Sequence, residues 1–146
     1  MTIIKNLDTY CVLACLESFL TDEGKPKSWK EIRDIFCLKN LCDRNGTVYN
    51  IDSFLVGCQL IGIDTEEINF HYPIREEFQD GSLFILTTDV TNHCYRFYSQ
   101  DEPTKIIVMD PDWKKTEDIR EFEYIDEDIL RQFKPRFIRL RLQRAT

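Results

Sequence analysis

The chain has 146 residues, 42% of them hydrophobic and 12% aromatic, enough to bury one sizeable core in a single domain over residues 1–146. No apolar run approaches the ~18 residues of a membrane span, no basic stretch followed by an apolar one marks a signal peptide, and a net charge of −7 excludes a phosphate-neutralising face. Neither nucleic acid nor membrane is therefore expected as a partner, and oligomeric state is left open. The first predicted element is a helix over Cys11–Asp22, because Val12, Cys15, Leu16, Phe19 and Leu20 recur at helical spacing. Asp8 or Thr9 would cap its start, and Gly24 with Pro26 would end it. Ser28-Trp29-Lys30-Glu31 is a capping-box pattern that opens a second helix through Ile32, Ile35 and Phe36. A third helix is predicted over residues 47–60, with Ile51, Phe54, Leu55, Cys58 and Leu60 inward.

After Gly62 the period changes from helical to alternating. Runs rich in β-branched and aromatic residues follow at Ile63–Phe70, Ser82–Thr88, His93–Ser99, Lys105–Met109 and Arg136–Leu142. Turn-forming stretches separate them at 79–81, 89–92 and 100–104. Glu117–Asp128, with seven acids, reads as a solvated connection and helix start. In the last run Ile138, Leu140 and Leu142 face one way and Arg139 and Arg141 the other, a strand with a charged solvent face whose arginines discourage edge pairing. Three helices leading into consecutive strands give an α+β order, with helices packed on a mainly antiparallel sheet.

The six cysteines are Cys11, Cys15, Cys37, Cys42, Cys58 and Cys94, and the two histidines are His71 and His93. A chain this apolar has no need of disulfide staples, so reduced thiols in a cytoplasmic setting are expected. Cys37, Cys42, Cys58 and His71 lack the paired short spacings of a zinc site, and neither metal nor cofactor is expected. Cys11 stands apart because it begins a helix. Backbone N–H groups and the helix dipole converge there and favour the thiolate, which is the nucleophilic form. His93 opens a strand on the face of Tyr95 and Phe97, where an imidazole can act as general base and acid toward a helix N-terminus. Cys94 then faces away from that site. Asp110 ends the next strand within reach of the second ring nitrogen, the orienting position of a triad.

Cys11-Val12-Leu13-Ala14-Cys15-Leu16 resembles the helix start of the bacteriocin-processing, double-glycine leader peptidases and their papain-like relatives, which read Asp-Cys-Gly-x-Ala-Cys-Leu. Asn92-His93-Cys94-Tyr95-Arg96-Phe97-Tyr98 resembles their histidine strand, and Ile106-Ile107-Val108-Met109-Asp110-Pro111 the strand carrying their aspartate. Gly81–Leu86 is similar to the strand before the histidine, and Tyr124–Phe133 with Arg136–Leu142 to the closing helix and strand. The likeness covers nearly the whole chain in the family's order. It implies a papain-like fold and a catalytic triad of Cys11, His93 and Asp110 that cleaves an amide through a thioester.

Two positions depart from the family pattern. Val12 stands where the glycine after the nucleophile is usual, and Lys5 where a glutamine supplies the oxyanion donor, so Asn6 is the candidate donor. The expected function is a cysteine peptidase acting on a peptide or protein. Glutamine deamidation or acyl transfer by a delivered effector or toxin on the same fold is the alternative, and a catalytically weak peptide-binding domain is another. A regulatory thiol at Cys11 is a lesser one. The free-standing sequence points to a cytoplasmic enzyme or one delivered to another cell.

Overall fold

A computed structural model describes residues 11–69, 80–87, 93–102, 105–109, 119–123 and 135–144. The opening apolar repeat forms helix α1, Cys11–Asp22, with the expected bounds. It is buried on nearly every side, from Cys11 through Leu16 and again at Ser18, Phe19 and Leu20, as befits a helix enclosed within the fold rather than laid on its surface. Its C-terminus is a Schellman motif. Lys25 N–H reaches Leu20 O at 2.9 Å and Gly24 N–H reaches Thr21 O at 3.2 Å, which requires the left-handed backbone of Gly24, φ 76°.

Helix α2, Trp29–Leu38, starts at the predicted cap, with Ser28 Oγ accepting from Glu31 N–H at 3.2 Å. The Glu17 carboxylate accepts from Trp29 N–H at 2.8 Å and ties the start of α2 to α1. Only Ile32 and Phe36, one turn apart, are fully buried on α2. Helix α3 is shorter than predicted, Ile51–Leu60, because Asn50 caps it by accepting from Ser53 N–H at 2.8 Å. The residues before it form a looped arm instead, with Cys42 bridged to Val48. Asp43 Oδ1 accepts from the amides of Asn45 and Thr47 within that arm. Ile51, Phe54 and Cys58 point inward and Leu55 packs partly against the core as expected, but Leu60 is exposed. Gly57 lets α3 approach α2, since a Cβ there would lie 2.1 Å from the Phe36 ring.

The strands are β1 (Ile63–Ile68), β2 (Leu83–Thr87), β3 (His93–Glu102), β4 (Lys105–Met109), β5 (Ile119–Glu123) and β6 (Pro135–Leu142). They form one sheet in the order β1-β6-β2-β3-β4-β5, antiparallel at every pairing. One face carries Ile63, Phe84, Leu86, Cys94, Met109, Ile138 and Leu140 into the core shared with the helices. The other carries Leu83, Ile85, Phe97, Val108 and Phe137 into a smaller cluster. Phe84 is central to the first, with Phe19 edge-on at 6.1 Å and Phe54 stacked at 6.2 Å. Full burial of each such ring contributes ~2–3 kcal/mol.

Three sequence expectations need correction. Residues 119–123, read as part of an acidic connection, are strand β5; their backbone pairs with the free side of β4 from Met109–Ile119 to Lys105–Glu123, and ladder bonds outweigh the unfavourable local charge. Residues 100–102, read as a turn, continue β3 to the Glu102–Lys105 pairing across register shifts after Phe97 and after Ser99. Finally, β6 is interior to the sheet, between β1 and β2. Its arginines are matched by neighbouring acids, Arg136 with Glu67 and Arg139 with Asp80, the latter at 3.7 Å. The proposed α1 caps Asp8 and Thr9, and the closing helix 124–133, lie outside the described residues.

Candidate active site

Cys11 is the first residue of α1 and is 6% exposed. Its surroundings follow from how α1 lies along β3. Cys15 Sγ, one turn further on, donates to Cys94 O at 3.5 Å. Beyond that, the Arg96 guanidinium donates through Nη1 to Ser18 Oγ at 2.7 Å and to Asp22 Oδ2 at 2.6 Å, and through Nε to Gly81 O at 2.9 Å. The same guanidinium lies over the Phe19 ring at 5.6 Å. Contacts therefore advance along both elements together, from Cys15 with Cys94 to Ser18 and Asp22 with Arg96. Helix and strand run in the same direction.

That alignment fixes the level of Cys11. One helical turn back from Cys15 is ~6 Å along the axis, and one residue back from Cys94 is ~3.3 Å along the strand. The N-terminus of α1 is thus directed toward the start of β3, whose first residue is His93. The backbone of His93 pairs with Thr87 of β2; its side chain lies outside the described set. On the other side β4 runs back antiparallel, with Met109 opposite Arg96. The last residue of β4 is thereby brought to the same end of the sheet as the start of β3. Asp110 and Asn6 lie outside the described residues.

Cys94 corrects one expectation. It faces α1, not away from Cys11, and is fully buried in the helix-side core. Burial, then the Cys15 thiol, then Cys11 and Cys58 push its pKa well above the ordinary thiol value, so it is an inert packing residue. Cys58 is likewise pushed up by burial. All six cysteines are free, and among the described residues no group of three His, Cys, Asp or Glu side chains could hold a metal.

Sequence reasoning missed Arg96, the guanidinium that pins α1 to β3. It is 2% exposed, and a buried arginine is rare unless paired. The available signal was Ser18 and Asp22 four apart on one helix face, and a lone arginine set between Tyr95 and Phe97 in the strand.

No protein-family model matches the sequence, and no curated protein matches it. Solved structures do. The peptidase domain of Streptococcus ComA, a bi-functional ABC transporter involved in a quorum-sensing pathway, superposes with a TM-score of 0.65 at 18% identity, over 97% of this chain and 98% of that one. A double-glycine-motif protease from an AMS/PCAT transporter, solved with its leader peptide, also gives 0.65, at 15% identity over 97% and 91% of the two chains. The chain has the papain-like fold of these peptidase domains. The likeness runs almost end to end through the shared fold and includes the α1–β3 unit. Among the described residues no helix is long and apolar enough to cross a membrane.

Proposed function

We propose that this protein is a cysteine peptidase, with Cys11 as nucleophile, His93 as general base and acid, and Asp110 as the residue that orients the imidazole. The observation that carries the reading is the parallel docking of α1 on β3, which sets the helix-first cysteine at the level of the strand-first histidine.

The chemistry follows from the groups. His93 takes the Cys11 proton, and the thiolate, favoured by the helix N-terminus, attacks the scissile carbonyl carbon. The oxyanion accepts from the Cys11 backbone N–H at the start of α1 and from the Asn6 carboxamide. The imidazolium then protonates the departing amine as the C–N bond breaks, leaving a thioester. Water, deprotonated by His93, attacks the thioester and releases the carboxylic acid and the thiol. The substrate is a peptide; a neighbour of the same fold was solved in complex with a leader peptide. Six free thiols fit a reducing, cytoplasmic setting.

The test is amide cleavage by the wild type, Cys11→Ala and His93→Ala, with circular dichroism to verify folding. Each variant is expected to lose ~10³-fold or more in rate. Two folded variants with undiminished cleavage would remove the peptidase reading. Ammonia release in place of a new amino terminus would move the reaction to glutamine deamidation.

A further inference from the structure

Away from the α1–β3 junction, two other sulfurs approach each other. Cys37 Sγ and Cys42 Sγ are 3.6 Å apart, at the end of α2 and the start of the looped arm. The turn between them holds this approach. Asn40 adopts the left-handed backbone, φ 57°, which asparagine tolerates better than most residues. Leu41 N–H bonds Phe36 O at 3.0 Å, and Asn40 N–H bonds Cys37 O at 3.0 Å. The chain is thereby folded back so that Cys42 returns beside Cys37. Cys37 Sγ lies 3.4 Å from Asp43 O and Cys42 Sγ 3.7 Å from Arg33 O.

The two thiols differ in access. Cys37 is half-buried, whereas Cys42 is 3% exposed. We propose that Cys37 and Cys42 are a reversible redox site, oxidised to an intramolecular disulfide by a low-molecular-weight disulfide of the glutathione class. The Cys37 thiolate attacks one sulfur of the oxidant, forming a mixed disulfide and expelling one thiolate. Cys42 then gives up its proton and attacks the Cys37 sulfur, forming the internal bond and expelling the second. Two protein thiols are oxidised and one external disulfide is reduced to two thiols. The sulfurs start 3.6 Å apart, and the bond to be formed is ~2.05 Å long. Burial first, and then the neighbouring Cys37, push the Cys42 pKa up to about 12, so the half-buried Cys37 and not Cys42 makes the first attack. The other close pair, Cys15 with Cys94, is fully buried and gives an oxidant no entry. This site does not depend on the peptidase reading.

The test treats the reduced full chain with oxidised glutathione, quenches with iodoacetamide and digests with trypsin without reduction. Cleavage after Arg33, Lys39 and Arg44 puts the two cysteines on separate peptides, 34–39 and 40–44. The expected product is these two peptides joined, lighter than their sum by two hydrogens and separated again by dithiothreitol. Cys42→Ser is expected to stop at glutathione on Cys37. Cys37→Ser, at the half-buried position, is expected to leave Cys42 unmodified. Glutathione retained on wild-type Cys37 without cross-linking, or both cysteines still fully alkylatable, would overturn the proposal. Modification of Cys11 is scored separately, as an adduct without a cross-link.

Discussion

Arg96 carries the most consequence of any single residue outside the proposed triad. Its guanidinium is buried among Ser18, Asp22, Gly81 and the Phe19 ring, and it joins two elements whose alignment sets Cys11 against the start of β3. Arg96→Met leaves Asp22 without its cation, a loss on the order of 3 kcal/mol, moderated because Asp22 keeps a quarter of its side chain in water. Urea denaturation measures it, and unchanged stability would mean that apolar packing alone holds α1 on β3. Arg96→Lys is expected to recover only part, since one ammonium cannot reproduce the fork that reaches three oxygens. Asp80 makes a smaller, pH-dependent contribution. Burial pushes its pKa up, but hydrogen bonds from Ser82 and the charge of Arg139 outweigh that and hold it below the usual carboxylate value. A depressed carboxylate stabilises the fold above its unfolded pKa, ~3.9, and the contribution fades as pH falls through the folded value. Asp80→Asn is therefore expected to melt below wild type at pH 7, with the gap closing under more acid conditions. A gap that persists in acid would contradict that origin.

Among the elements, the helices depend on two glycines for different reasons. Gly24 supplies a left-handed backbone at the end of α1, so Gly24→Ala is expected to cost about 1 kcal/mol through strain alone, because nothing crowds the position. Gly57 supplies space, and Gly57→Ala forces the Phe36 ring or the α2–α3 spacing to shift, costing about 1–3 kcal/mol. Thermal melts of the two variants are expected to rank Gly57→Ala as the less stable, and the opposite ranking would place the strain at the turn. Elements with strong local signals were legible in the sequence. Cys11–Asp22 has a dense apolar repeat, and Ser28 is a good cap. Strand β5 was not legible, because its stability comes from pairing with β4 rather than from its own residues. The start of α3 was misplaced because Val48 is apolar at helical spacing yet belongs to the arm bridged to Cys42. Cys11 and His93 were legible as the first residues of a helix and a strand. Arg96 was not, because its partners lie 74 and 78 residues away, and the facing of Cys94 depended on where α1 docks.

On the scale of the whole molecule, among the described residues one sheet has α1 and α3 against one face and a second apolar cluster on the other. Strand β6 is inserted between β1 and β2, so Pro135–Leu142 is an interior strand beside the β1 edge. The α1–β3 unit sits in that frame with two buried anchors, Cys15 on Cys94 and Arg96 on Ser18 and Asp22. The same arrangement explains why one thiol is proposed as reactive while Cys15, Cys58 and Cys94 are fully buried. The central claim is an activated thiolate at Cys11 that depends on His93, and the rate of alkylation by iodoacetamide, resolved by cysteine, tests it most directly. Near neutral pH, Cys11 is predicted to be carboxamidomethylated well ahead of Cys37, the half-buried internal reference, and His93→Ala is predicted to abolish that lead. A Cys11 that reacts no faster than Cys37, or a lead unchanged in His93→Ala, would contradict it.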